Sequence, residues 1–135
     1  MKSIDEIRRI LPHAKVRIQM VKAGISAMAV EDFMHIYQIP KVEMARIVNL
    51  SVKTLSRVLN ENRPLDQIHS DRLLELTELY QKGEEVFGNK EKFKRWLHSS
   101  HPALGNIRPA EWLDSQQGID AIMDELVRID EGILA

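Results

Sequence analysis

No cysteine occurs anywhere in the chain, which excludes disulfides and thiolate metal sites and fits a reducing compartment. Aromatic residues are only 5% of the total, so a core must rest on Leu, Ile, Val and Met. No apolar run approaches the roughly 20 residues of a membrane span, and the N-terminus has no signal-peptide core. The expectation is a cytoplasmic protein with no membrane contact. Strand-period alternation, internal repeats and low-complexity stretches are all missing. So are a phosphate-cradling glycine loop and a nucleophile elbow. His98 and His101 stand three apart across a predicted helix end, short of the three or four convergent ligands a metal needs. They read as solvated loop histidines. Glu84-Glu85 and Asp124-Glu125 read as solvated helix surface rather than acid–base pairs. No catalytic residue, metal or cofactor is expected, and the chain does not read as an enzyme.

What remains is helical. With 135 residues, 44% hydrophobic and 29% charged, the chain can hold one domain or two very small ones. Ser3-Ile4-Asp5-Glu6 forms a capping box for a short helix to about Ile10. A helix follows over Ala14–Ala23, stopped by Gly24. Ser26 caps another over Ala27–Tyr37, with Val30, Phe33, Met34 and Tyr37 as its apolar stripe and His35 beside it. Beyond residue 60, Pro64 punctuates a break that suggests a division into 1–64 and 65–135. A long helix to Phe87 shows Ile68, Leu73, Leu76, Leu79, Tyr80 and Val86 at helical spacing. Gly88 stops it, and Asn89 caps a helix over about Lys90–His98. After a loop over Ser99–Arg108, Pro109 opens a helical turn with Trp112 and Leu113. The last helix spans about Ser115–Glu131, and Gly132 ends it. The expected fold class is all-α.

Pro40 to Asn60 carries the strongest pattern. It predicts a helix over Lys41–Val48, a tight corner, and a second helix capped by Ser51. Met44, Val48, Leu50, Leu55 and Val58 are apolar where two crossed helices bury their contact, and Ala45 is small at the closest approach. This is a helix-turn-helix pattern. It leaves Ser51, Val52, Lys53, Ser56, Arg57 and Asn60 facing outward on the second helix. That set offers a cation for guanine edges, hydroxyls and an amide for other edges, and an apolar contact for thymine methyls. Lys41 and Arg46 are candidates for phosphate contact. Two short amphipathic helices joined by a turn also occur in proteins with no nucleic-acid partner. Asn49 occupies the corner position where glycine is usual, and Asn tolerates a left-handed backbone.

The net charge of −1 is unevenly spread. Residues 1–63 hold 11 Lys/Arg against 6 Asp/Glu, a balance of +5, and residues 64–135 hold 8 against 14, a balance of −6. A cationic first half suits DNA phosphates, and an anionic second half turns away from them. Residues 109–135 carry seven carboxylates against Arg128 alone. An acidic terminus with an apolar tip is either a plug for a basic pocket on a partner or a solvated helix face with a frayed end.

From Asp71 onward the sequence resembles the antitoxins of the Xre/MbcA/ParS-like family, which pair with RES-type toxins. The matching residues are Asp71-Arg72-Leu73, Val86-Phe87-Gly88, Trp96-Leu97, Pro102-Ala103-Leu104-Gly105, Pro109, Leu113, Gly118, Leu126, Arg128-Ile129 and Gly132, in order. Thr54-Leu55-Ser56-Arg57 fits the Xre-like helix-turn-helix of that family. The resemblance runs from about Gly24 to the end and leaves residues 1–23 uncovered. It implies an antitoxin with an N-terminal helix-turn-helix bundle and a small helical toxin-binding domain. It further implies a homodimer through the C-terminal domain, repression of its own operon, and an RES toxin partner that consumes NAD. The neutralising segment would comprise Arg128, Asp130, Glu131, Gly132, Ile133, Leu134 and Ala135. Two features depart from the family pattern: Asn49 at the turn, and only three residues after Gly132. The rival reading is a stand-alone helix-turn-helix regulator whose C-terminal domain binds a protein or small ligand.

Overall fold

The computed structural model describes residues 3–4 and 14–132. The expected helix after Ser3 lies, from Asp5 on, outside the described residues, as do Ile133, Leu134 and Ala135. Seven α-helices occur among the described residues: α1 Ala14–Ala23, α2 Ala27–Ile36, α3 Lys41–Val48, α4 Val52–Asn60, α5 Gln67–Phe87, α6 Lys90–Leu97 and α7 Gln116–Asp130. Two 3-10 turns, Pro102–Leu104 and Pro109–Trp112, lie between α6 and α7. The chain is all-α as expected, and its one ladder contact among these residues is an isolated bridge between His101 and Ile107.

Short polar side chains set the helix starts. Ser26 Oγ accepts the amide of Ala29 at 3.2 Å. Ser51 Oγ accepts that of Thr54 at 3.0 Å and donates to Thr54 Oγ1 at 2.9 Å. Asn89 accepts from Lys92 at 2.8 Å, and Ser115 from Gly118 at 3.0 Å. Each supplies an acceptor to an amide that has no partner within its own helix. Left-handed Gly24 and Gly88 end α1 and α5.

The chain divides into two compact units, residues 1–77 and 78–135. In the first, Phe33, Met44, Ile47 and Leu55 are fully buried, with α4 packed on both α2 and α3. Leu50, expected inside, is only half-buried, and Ile47 takes its place in the core. The Pro64 loop is fastened to this unit rather than standing between the two. Leu65 N donates to Ile25 O at 2.8 Å. The buried Ser70 hydroxyl accepts from Ile25 N at 2.9 Å and donates to Leu65 O at 3.3 Å. The break therefore falls within α5, after Thr77. The stripe on α5 also differs from expectation. Ile68 is 79% exposed, while Ser70, Leu73, Leu74, Leu76 and Thr77 are buried. Ile68 sits two residues from Ser70, which turns it to the opposite side of a 3.6-residue helix. Ser70 and Thr77 can occupy that buried face because their hydroxyls bond backbone carbonyls.

In the second unit, Phe93 is the hub. It meets Tyr80 edge to face at 5.4 Å and stacks with Phe87 and Trp96. Leu97, Leu113, Ile122 and Leu126 complete the core, and the 3-10 turn Pro109–Trp112 packs on both α6 and α7. Gly118 is required here by space: a Cβ would lie 1.8 Å from the Trp112 carbonyl oxygen. Replacing Gly118 with Ala forces the backbone apart and should cost on the order of 1–3 kcal/mol. Ser51→Ala, which removes a cap and creates no clash, should cost about 1 kcal/mol. Thermal melts followed by circular dichroism should therefore rank Gly118→Ala below Ser51→Ala, and both below the parent chain.

Candidate functional site

α4 exposes five of the six residues expected to face outward. Ser51, Val52, Lys53, Thr54, Arg57 and Asn60 are exposed, as are Lys41 and Arg46 on α3; Ser56 is half-buried. Among the described residues, no carboxylate pairs with Lys41, Lys53 or Arg57. Val52 is 42% exposed, so an apolar surface sits beside the cations at the start of the helix. The Ser51 hydroxyl is committed to Thr54 in both of its bonds, which makes it a cap first.

The corner before α4 is built by Asn49 in the left-handed conformation, φ 62° and ψ 38°. Its amide bonds the carbonyls of Ala45 and Arg46, and Leu50 N reaches Ala45 O at 2.9 Å. Asn fills the role usual for glycine at a helix C-terminus because its short polar side chain tolerates this backbone. Sequence reasoning missed what lies behind the corner. Arg72 on α5 donates to the Ile47 carbonyl at 3.2 Å. The His69 ring places Nε2 3.3 Å from the Asn49 carbonyl and Nδ1 2.7 Å from Asp66 Oδ1. The Asp66 carboxyl is held below its ordinary value, chiefly by the His69 amide and further by the ring. No periodicity links residues 20 and 25 apart, so no local signal pointed to these bonds.

At the other end, Arg128 is exposed and pairs with Glu125. Asp130 bonds Lys82 Nζ at 2.7 Å, which raises the Lys82 ammonium above its ordinary value. Glu131 and Gly132 are exposed, and Gly132 is left-handed at φ +69°. Of the expected neutralising set, these four are described, and Ile133, Leu134 and Ala135 are not. The second half is less uniformly anionic than its balance implies. α6 exposes Lys92, Lys94 and Arg95, with Lys90 half-buried. His98 Nδ1 lies 2.8 Å from Lys94 O, and His101 Nε2 2.8 Å from Trp96 O. These rings close the end of α6; His98 is exposed to solvent, as expected, and His101 is half-buried. Among the described residues no group of three or more His, Asp or Glu could hold a metal, and no helix is long and apolar enough to cross a membrane.

Comparison with known proteins divides the chain almost as its compact units do. Residues 16–78 match the antitoxin Xre-like helix-turn-helix domain, and residues 82–132 match the antitoxin Xre/MbcA/ParS C-terminal toxin-binding domain. The chain is similar to the Prs ADP-ribosylating antitoxin of Sphingobium sp. (strain YBL2), 27% identical over 128 residues that cover 88% of this chain and 80% of the relative. It is similar to the antitoxin Xre of Pseudomonas putida, 33% identical over 91 residues, 67% of this chain and 56% of the relative. An antitoxin Xre of Yersinia enterocolitica is 23% identical over 122 residues, 89% of this chain and 82% of the relative. With both matched domains in order and a well-formed helix-turn-helix in the first, the chain belongs to the Xre/MbcA/ParS antitoxins, a non-enzymatic family that joins a helix-turn-helix domain to a toxin-binding domain.

Proposed function

We propose that this antitoxin neutralises an RES-type, NAD-consuming toxin by laying its C-terminal end over the entrance to the toxin's active site. The segment is Arg128, Asp130, Glu131 and Gly132 with the following Ile133, Leu134 and Ala135. The observation that carries the reading is the exposed acidic end of α7. A pocket that accepts the pyrophosphate of NAD needs cations, and the exposed carboxylates at this end, Asp130 and Glu131, complement it. The name of the Sphingobium relative refers to ADP-ribosylation, a chemistry that also draws on NAD. Lys82 anchors Asp130, so the end of α7 enters the encounter already oriented.

The first unit binds the operator of its own operon as a homodimer assembled through the second unit, in the cytoplasm. Lys53 and Arg57 are the reading cations, and Val52, Ser56 and Asn60 line the same helix. Lys41 and Arg46 sit at phosphates, and Ser51 sets the start of the helix. Half-sites of the operator lie about one turn, roughly 34 Å, apart. A regulator with no toxin partner is disfavoured by the toxin-binding match over residues 82–132.

The two activities separate by mutation. Deleting residues 128–135 should restore killing when the chain is co-expressed with its toxin, while a promoter duplex is still bound. Protection by the truncated chain would count against the plug. Arg57→Ala should weaken promoter binding roughly tenfold or more, with neutralisation intact. An unchanged affinity would remove α4 as the reading helix.

A further inference from the structure

We propose that His69, as an imidazolium, and Arg72 are positioning residues for the recognition helix: from α5 they grip the carbonyl end of α3 and fix the corner from which α4 departs. The inference rests on the reading above that α4 meets DNA.

The ring of His69 lies between two acceptors. Nδ1 is 2.7 Å from Asp66 Oδ1, and Nε2 is 3.3 Å from the Asn49 carbonyl oxygen. A carboxylate and a peptide carbonyl offer lone pairs and no proton. Neutral imidazole has one N–H and can serve one of them, whereas the imidazolium serves both. Asp66 also accepts the His69 amide at 2.9 Å, and its carboxyl titrates below the ordinary 3.8. It therefore stays ionised through mildly acidic and neutral solution and remains an acceptor for the ring across that range. Among the described residues Asp66 is the charged partner bonded to the ring, Arg72 is the neighbouring cation one turn along α5, and the α3–α4 corner presents a carbonyl.

Arg72 completes the grip by donating to the Ile47 carbonyl at 3.2 Å. Ile47 and Asn49 bracket the end of α3, where the last carbonyls lack partners within the helix and the helix dipole is negative. Two cations there satisfy the acceptors and the dipole together. The corner needs such holding, because Asn49 adopts a backbone that residues other than glycine occupy at some cost. When the grip is released, the corner can relax, and Lys53 and Arg57 lose their fixed approach.

The test uses the full chain and a duplex carrying its own promoter, with binding read by fluorescence anisotropy at constant salt between about pH 5.5 and 8. Parent affinity should fall about three- to tenfold as the pH rises, while His69→Gln binds weakly and almost independently of pH. Nitrogen NMR of the ring should show both nitrogens protonated at the acidic end. Arg72→Gln should weaken binding by a similar factor, and Arg72→Lys should restore it. Neither residue touches DNA, so plots of log K against log salt should shift without a change of slope. A His69→Gln profile parallel to the parent, a singly protonated ring at the acidic end, or an altered slope would each overturn the proposal. Failure of Arg72→Lys to outperform Arg72→Gln would remove Arg72 from it. If the parent binds no DNA at any pH, the reading of the first unit falls and takes this inference with it. If it binds with a profile indifferent to His69, the inference falls alone.

Discussion

The exposed carbonyl end of α3 is the junction on which the first unit depends. Helices of eight and nine residues are too short to persist in water by themselves. α3 and α4 exist because Met44, Ile47 and Leu55 are withdrawn from solvent. Burial fixes which sides face inward, but it is non-directional and leaves the angle between the helices soft. That angle is set at the corner, where Asn49 turns the chain and α5 supplies polar partners for what the turn exposes. The long helix therefore belongs with the helix-turn-helix for its first three turns, within the compact unit that ends at Thr77.

Much of this was legible in the residues. Helix order, the caps at Ser26, Ser51 and Asn89, and the outward set on α4 apart from Ser56 follow from local chemistry and a 3.6-residue period. The errors have a common cause. Ile68 was assigned inward because apolar side chains are presumed to seek the core, yet Ser70 and Thr77 took that face with carbonyls to receive their hydroxyls. Pro64 marked a turn correctly but said nothing about what the turn is tied to, and Ile25 lies far away in sequence. The His69 and Arg72 bonds span 20 and 25 residues, beyond the reach of any window.

Charge needs the same correction from sums to places. The second half is anionic in total, yet α6 carries a run of exposed cations, and three of the seven carboxylates in residues 109–135 are already matched, Glu111 by Arg108, Glu125 by Arg128 and Asp130 by Lys82. The last two pairs involve a buried Glu125 and a half-buried Lys82. Their effect is on geometry: they hold the end of α7 in one arrangement and leave Glu131 outside it. A balance of −6 therefore overstates the charge available to a partner and understates how ordered the remainder is.

A chain built from short helices has many helix ends for its length, and helix ends consume polar side chains. Ser51 and Thr54 are spent on the start of α4, His98 and His101 on the end of α6, and Ser70 on the Ile25–Leu65 connection. These are the residue types that invite functional readings when met in sequence. Once the ends are satisfied, a smaller and more pointed set on α3 and α4 pairs with no carboxylate among the described residues: the cations Lys41, Lys53 and Arg57, with Val52 exposed beside them. A polyanion is the kind of partner that rewards exposed cations, and on the proposed reading the helix-turn-helix is the frame that would present them to it.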